Sequence, residues 1–206
     1  MSQSLKKTCG GDSMKKQKRP GWPNFMFPSP VVLVSCLDEE QGRANIITLA
    51  WASNLIIIPP TIGVGINRQR HSYQLIKSTK EFVVNIPSTR YLYETDFCGM
   101  VSGKEVDKFL ATKFTAEPAT KVKPPLIKEC PVNIECRVYE LIESESRSHG
   151  IFLGEILMMH VDEEILTLQE TIDYSKADPI LYLVGEYWSL GKKLGVHGLS
   201  KGKTRN

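Results

Sequence analysis

Four of the five residues from 68 to 72, Arg68, Arg70, His71 and Ser72, form a donor-rich cluster where a helix is predicted to begin. A helix N-terminus leaves backbone N–H groups unpaired and presents the positive end of the helix dipole, which makes it a seat for phosphate. Arginine adds charge-assisted, bidentate contacts to such an anion and serine adds a hydroxyl. The same residues also suit a solvated turn with a capping serine, so the neighbourhood has to decide. From Ala44 to Asn67 the chain carries no charged side chain, yet it holds Asn45, Thr48 and Ser53. Hydroxyl and amide groups without charge suit a flat, mostly apolar ligand with a polar tail. Trp51 is either a core aromatic or a wall on which a ring stacks. Ser102-Gly103-Lys104 is a glycine-opened turn with a hydroxyl and a cation, by itself a weak signal.

Other chemistries are not supported. His149 and His160 are 11 positions apart, which puts them on opposite faces of a strand, so no metal site is expected. Gly63 and Gly65 form a GxG without a third glycine, inside a strand rather than at a strand-to-helix turn, which excludes the dinucleotide fingerprint. There is no Ser-His-Asp order, Walker loop or HExxH. Cys36 and Cys98 read as buried hydrophobes. No residue is assigned as catalytic.

The elements that must position these groups are mostly strands. Val31 to Leu37 is a short apolar run, and Asp38 to Gly42 reads as a hairpin turn with Gly42 free to take positive φ. Ala44 to Trp51 returns as a strand. Ile62 to Ile66 alternates glycine with large residues, which puts Gly63 and Gly65 on one face where something can approach the backbone. The stretch 44–67 is therefore expected to be two buried strands joined by a polar elbow. His71 to Lys77 is predicted helical, Glu81 to Pro87 a strand, and Tyr91 to Lys108 helical in pieces. Val132 to Glu143 and Ile151 to Val161 are long enough to be main strands. Many short strands and few helices favour a mainly β fold, a β-barrel with peripheral helices, over an open α+β sandwich.

The 206 residues suit one domain with arms. Residues 1–19 hold six Lys/Arg against one Asp and are expected to be a disordered basic arm. Residues 192–206 hold five Lys/Arg and no acid and form a basic tail. With a total of +3, the body 20–191 carries 3 − 5 − 5 = −7. An acidic body does not suit nucleic acid. Pro59-Pro60 and the shortness of Leu55 to Ile58 exclude a membrane helix in the uncharged stretch. Five cysteines with no CxxC pair, and no apolar leader, fit a cytoplasmic protein.

The order and spacing of four blocks resemble the flavin reductase-like FMN-binding split-barrel family, in its flavoredoxin and ferric reductase branch. The blocks are Pro30 to Cys36 with Gly42 to Trp51, then Pro59-Pro60 with Arg70 to Tyr73. Glu81 to Pro87 is the third. The fourth is Ser102-Gly103 with Asp107-Lys108-Phe109, followed by Gly154-Glu155 and His160 to Glu163. The resemblance implies a split barrel, a homodimer, and non-covalent FMN near the subunit interface. It implies electrons taken from NAD(P)H or a protein donor. Carried over by position, Asn45, Thr48, Trp51, Ala52 and Ser53 line the ring and ribityl chain. Arg70, His71 and Ser72 meet the phosphate, and Ser102, Gly103 and Lys108 close the site. Two functions follow. One is an NAD(P)H-dependent flavin or ferric reductase; the other is an FMN electron carrier that docks to a redox partner protein. A third reading is a barrel that binds FMN without redox turnover.

Overall fold

The computed structural model describes residues 26–201. The arm at 1–19 lies outside the described residues, as do the aromatics Trp22 and Phe25.

In chain order the strands are β1 (Ser29–Pro30), β2 (Val32–Asp38), β3 (Arg43–Leu49), β4 (Ala52–Ile56), β5 (Thr61–Asn67) and β6 (Glu81–Ile86). They continue with β7 (Ala116–Glu117), β8 (Leu126–Ile127), β9 (Val132–Ile142), β10 (His149–Val161), β11 (Leu181–Tyr182) and β12 (Tyr187–Trp188). The helices are α1 (His71–Thr79), α2 (Leu92–Met100), α3 (Lys108–Thr112) and α4 (Tyr174–Ala177).

Seven strands make one antiparallel sheet in the order β3-β2-β6-β9-β10-β5-β4. Its two edge strands, β3 and β4, are consecutive in the chain, with only Ala50 and Trp51 between them. The sheet must therefore roll until its edges meet, which is a split barrel, as the mainly β pattern predicted. The hairpin between β2 and β3 turns where expected. Gly42 takes φ +62°, and Asp38 Oδ1 accepts from the Gln41 N–H at 3.1 Å.

Alternation sorts the barrel's two faces. Val34, Cys36, Ile47, Val64, Phe82, Cys136 and Phe152 fill the inside, and α1 adds Tyr73 and Ile76 to that core. On the outside, Leu33 and Ile46 pack with Cys98, Phe114 and Ile127 beneath α2 and the chain that follows. Two buried polar groups tie this outer excursion down. Asn85 donates to Leu33 O at 3.0 Å and accepts from the Ile127 N–H and from Asn133. Glu135, fully buried, accepts from the backbone N–H of Thr120, Lys121 and Val122, from the Thr120 hydroxyl, and pairs with His160 Nε2 at 2.6 Å. Burial alone would raise that carboxyl. The bonds from His160 and Thr120 outweigh it and hold the group at about 2.

One expectation holds only in part: both ends of the uncharged stretch, β3 and β5, are buried strands, but the connection between them is a third, exposed strand and an apolar turn rather than a polar elbow. β3 packs into the barrel, but Leu55, Ile56, Ile57 and Ile58 are exposed, Ile57 at 89%. Apolar character predicted burial, whereas β4 is an edge strand of the sheet, hydrogen-bonded on one side only to β5.

A small sheet in the order β1-β11-β12 sits beside the barrel. Its hairpin turns at Val184-Gly185, both with positive φ (+48° and +98°), a demanding conformation for a β-branched residue. Among the described residues no helix is long and apolar enough to cross a membrane, and no group of three or more His, Cys, Asp or Glu could hold a metal ion.

Candidate functional site

Helix α1 begins where the donor cluster predicted. Arg70 is its N-cap residue, with φ −74° and ψ 140°, and makes no side-chain cap. Serine therefore does not cap this helix; Ser72 lies inside its first turn. The N-terminus opens on a pocket of about 330 Å3 lined by Asn67, Gln69, Arg70, His71, Ser72, Ser102, Gly103 and Lys108, with Cys98 and Gly99 of α2. Its charged lining is basic, and among the described residues no carboxylate lines it.

Each group is held from behind. His71 Nε2 lies 3.3 Å from Asp38 Oδ2, and both side chains are nearly covered. Ser72, 2% exposed, accepts from Asn45 Nδ2 at 2.8 Å. Lys108, 3% exposed, donates to Ile46 O at 2.6 Å and Cys98 O at 2.7 Å. Burial pushes the pKa of this ammonium down from lysine's usual range. Lys108 thus ties β3 to α2 and sets the distance between two walls of the pocket. Asp107 starts α3 by accepting from the Leu110 N–H at 3.1 Å. Gly103 has to be glycine, because a Cβ there would stand 2.0 Å from Asn45 Oδ1.

The structure brings Arg70, His71, Ser72, Ser102, Gly103 and Lys108 into this one pocket. It puts Asn45 behind it. Thr48 turns to α2, where its hydroxyl donates to Thr95 O and its Cβ lies 3.2 Å from where a Cβ on Gly99 would be. Trp51, Ala52 and Ser53 are elsewhere. They line a second, apolar cavity of about 480 Å3 between the barrel and the small sheet, with Met26, Pro30, Leu55, Ile151, Tyr182 and Val184. Gly63 and Gly65 also line it, and they do share a face, opposite the core residues Ile62, Val64 and Ile66. What approaches them is the neighbouring strand: the Leu55 side chain fills the space of one missing Cβ and Trp51 crowds the other.

An aromatic pair stands at the wall of the apolar cavity. Trp51 stacks on His149, with centroids 6.0 Å apart and planes at 28°. His149 is registered opposite Asn67, which lines the polar pocket, while Trp51 lines the apolar one. His160 is bound to Glu135 instead, and the register shift between Ile156 and Met158 breaks the strict alternation that the spacing argument assumed. Cys36, Cys98, Cys130 and Cys136 are buried free thiols. Burial pushes Cys36 up to about 12 and Cys98 to about 11, so neither is a thiolate near neutrality. Cys9 lies outside the described residues.

Several lining residues escaped the sequence reading. Gly99 had a signal, a glycine within a helical stretch, where glycine is normally unfavourable. Asn67 stood at the end of the uncharged stretch. Arg43 and Asp38 had none, because their partners lie 60 and 33 positions away along the chain.

A family model described as a flavin reductase like domain matches residues 25–191. The flavoredoxin structure of Desulfovibrio vulgaris (Miyazaki F) superposes with a TM-score of 0.83 at 32% identity, covering 91% of this chain and 100% of that one. The flavoredoxin of Methanosarcina acetivorans gives 0.83 at 33% identity, covering 91% and 98%. An uncharacterised protein of Archaeoglobus fulgidus is 38% identical over 133 residues, 65% of this chain and 72% of that protein.

Proposed function

The chain belongs to the flavin reductase-like family, and we propose that it binds FMN non-covalently and passes electrons from NAD(P)H to a flavin, ferric or protein acceptor. The observation that carries this is the pocket at the start of α1: Arg70, His71, Ser72 and Lys108 converge there, and among the described residues no carboxylate lines it. That lining suits a phosphate. Asn45 Oδ1, buried and without a hydrogen-bond partner, leaves an acceptor open behind the seat, and Gly99 and Gly103 let the walls close in on Thr48 and Asn45. Arg70, His71 and Ser72 would hold the phosphate end, and Trp51 with His149 would stand beside the ring.

Bound flavin supplies two-electron chemistry at its N5, and the protein supplies position and electrostatics. Within this reading, the basic pocket fixes the anionic tail. Lys108 holds α2 at a set distance from β3, and the uncharged stretch keeps carboxylates away from where a reduced, anionic ring would lie. No side chain is assigned a proton-transfer step.

The reading includes a homodimer, supported by the exposed apolar tip Leu55–Ile58 on an edge strand. A second reading, a non-enzymatic electron carrier, is favoured by the likeness to two flavoredoxins at 32% and 33% identity.

Absorption spectroscopy of the purified, FMN-reconstituted protein tests the proposal. Yellow protein bleached rapidly by NADH or NADPH supports the reductase. Bleaching only by dithionite or a reduced electron-transfer protein selects the carrier. Protein that stays colourless after reconstitution overturns both.

A further inference from the structure

We infer that Asn45 and Arg43 are positioning residues that make the polar pocket select a phosphate-bearing flavin over its dephospho form; this rests on the flavin reading above.

Asn45 is 4% exposed and lies behind the pocket lining, so its effect on a ligand runs through its neighbours. Its amide Nδ2 donates to Ser72 Oγ at 2.8 Å. A hydroxyl has one proton and two lone pairs, so a hydroxyl that accepts from an amide keeps its proton for another partner. The nearby Cys36 thiol stays neutral and gives its own proton to Asn45 O at 3.7 Å. Besides the pocket, the Ser72 proton is offered the Cys36 sulfur, a weak acceptor, so an anion in the pocket draws it away. A phosphate brings only acceptors to that proton near neutral pH.

Arg43 lies two residues back on β3, on the same side of the strand. Its Nη2 donates to Gly103 O at 2.8 Å. A backbone carbonyl facing an anion seat would repel the anion; this one is held on a guanidinium instead. Gly103 is also pressed against Asn45 Oδ1, so both contacts from β3 act on the same turn. One strand thus sets the polarity of Ser72 and the orientation of Gly103 on two sides of the anion seat.

The consequence is one of selectivity. Riboflavin ends in a hydroxyl, which can accept or donate, and is indifferent to the direction of the Ser72 proton. FMN is not.

The test is titration of the full chain, stripped of flavin, with FMN and with riboflavin. The proteins compared are wild type, Asn45→Ala, Ser72→Ala, the double variant and Arg43→Met. Asn45→Ala and Arg43→Met are each expected to weaken FMN about 3- to 10-fold, the size of a lost hydrogen bond, and to leave riboflavin within twofold. In the Ser72→Ala background, Asn45→Ala is expected to cost less than twofold further. Equal loss for both flavins would overturn the inference, since Asn45 would then touch the ring or ribityl chain. An additive double variant would do the same. If Asn45→Ala does not fold, Arg43→Met decides alone: an unchanged FMN-to-riboflavin ratio overturns the inference. A wild type that binds both flavins equally overturns it too, with the proposed function intact. A wild type that binds neither overturns the function and the inference together.

Discussion

The two cavities differ in how their walls are held. The polar pocket is built from groups that are each tied down from behind: His71 to Asp38, Ser72 to Asn45, Lys108 to two carbonyls, Gly103 to Arg43. The apolar cavity has walls from four separate stretches, 26–30, 50–65, Ile151 and 182–184, whose side chains meet in it by apolar contact. Hydrogen bonds fix direction, and apolar contact fixes only proximity. The first cavity is therefore suited to recognising one charge in one place, and the second to tolerating different apolar shapes.

That contrast can be broken most directly at the phosphate end. Replacing Arg70 and Ser72 together by alanine is expected to weaken FMN by at least tenfold in an equilibrium titration, since each charge-assisted contact contributes about 1.5–3 kcal/mol. Unchanged affinity would mean that the polar pocket does not hold the anion.

Next in size is Lys108→Met. The change keeps an unbranched side chain, one atom shorter, but removes the donor that Ile46 O and Cys98 O share. Urea unfolding of the flavin-free protein is expected to show a loss of about 2–3 kcal/mol. A smaller loss, with FMN affinity still reduced, would make Lys108 a ligand contact before it is a brace.

A smaller effect is expected in the apolar cavity. Trp51→Ala removes a stacking surface and should weaken FMN and riboflavin alike, by about 0.5–1.5 kcal/mol. A loss confined to FMN would erase the distinction between the two cavities.

The smallest effect on the folded chain is expected from Ile57→Ser with Ile58→Ser. Both side chains are almost fully exposed, so thermal stability at low concentration should move by less than about 0.5 kcal/mol per residue. Sedimentation at higher concentration should show weaker self-association if the tip is the seat of a second copy.

The strands were legible because alternation and β-branched runs report burial locally. Val31 to Leu37, Glu81 to Ile86 and the two long strands needed no distant information. The grouping of Arg70, His71 and Ser72 in one pocket was legible for the same reason: they are adjacent in the chain and share one helix start. Two things were not legible. The apolar run Leu55–Ile58, which ends the edge strand β4 and enters the turn after it, has the composition of a buried strand, and only the fold shows it exposed. The split between Asn45 and Trp51 was hidden as well. Both stood in one uncharged stretch, but the chain passes from β3 to β4 between them, and the two strands form opposite edges of the sheet.

β3 also constrains how this protein can vary through descent. Arg43 and Asn45 hold Gly103 and Ser72 of the polar pocket, while Ile46 and Thr48 face α2. Because neighbours alternate, inserting or deleting one residue in the Asp38–Gly42 turn would exchange the two sets and undo the pocket and the helix packing together. Substitution has no such reach. A lineage can adjust its cofactor here one side chain at a time, but it cannot change the length of this hairpin by a single step and keep either wall.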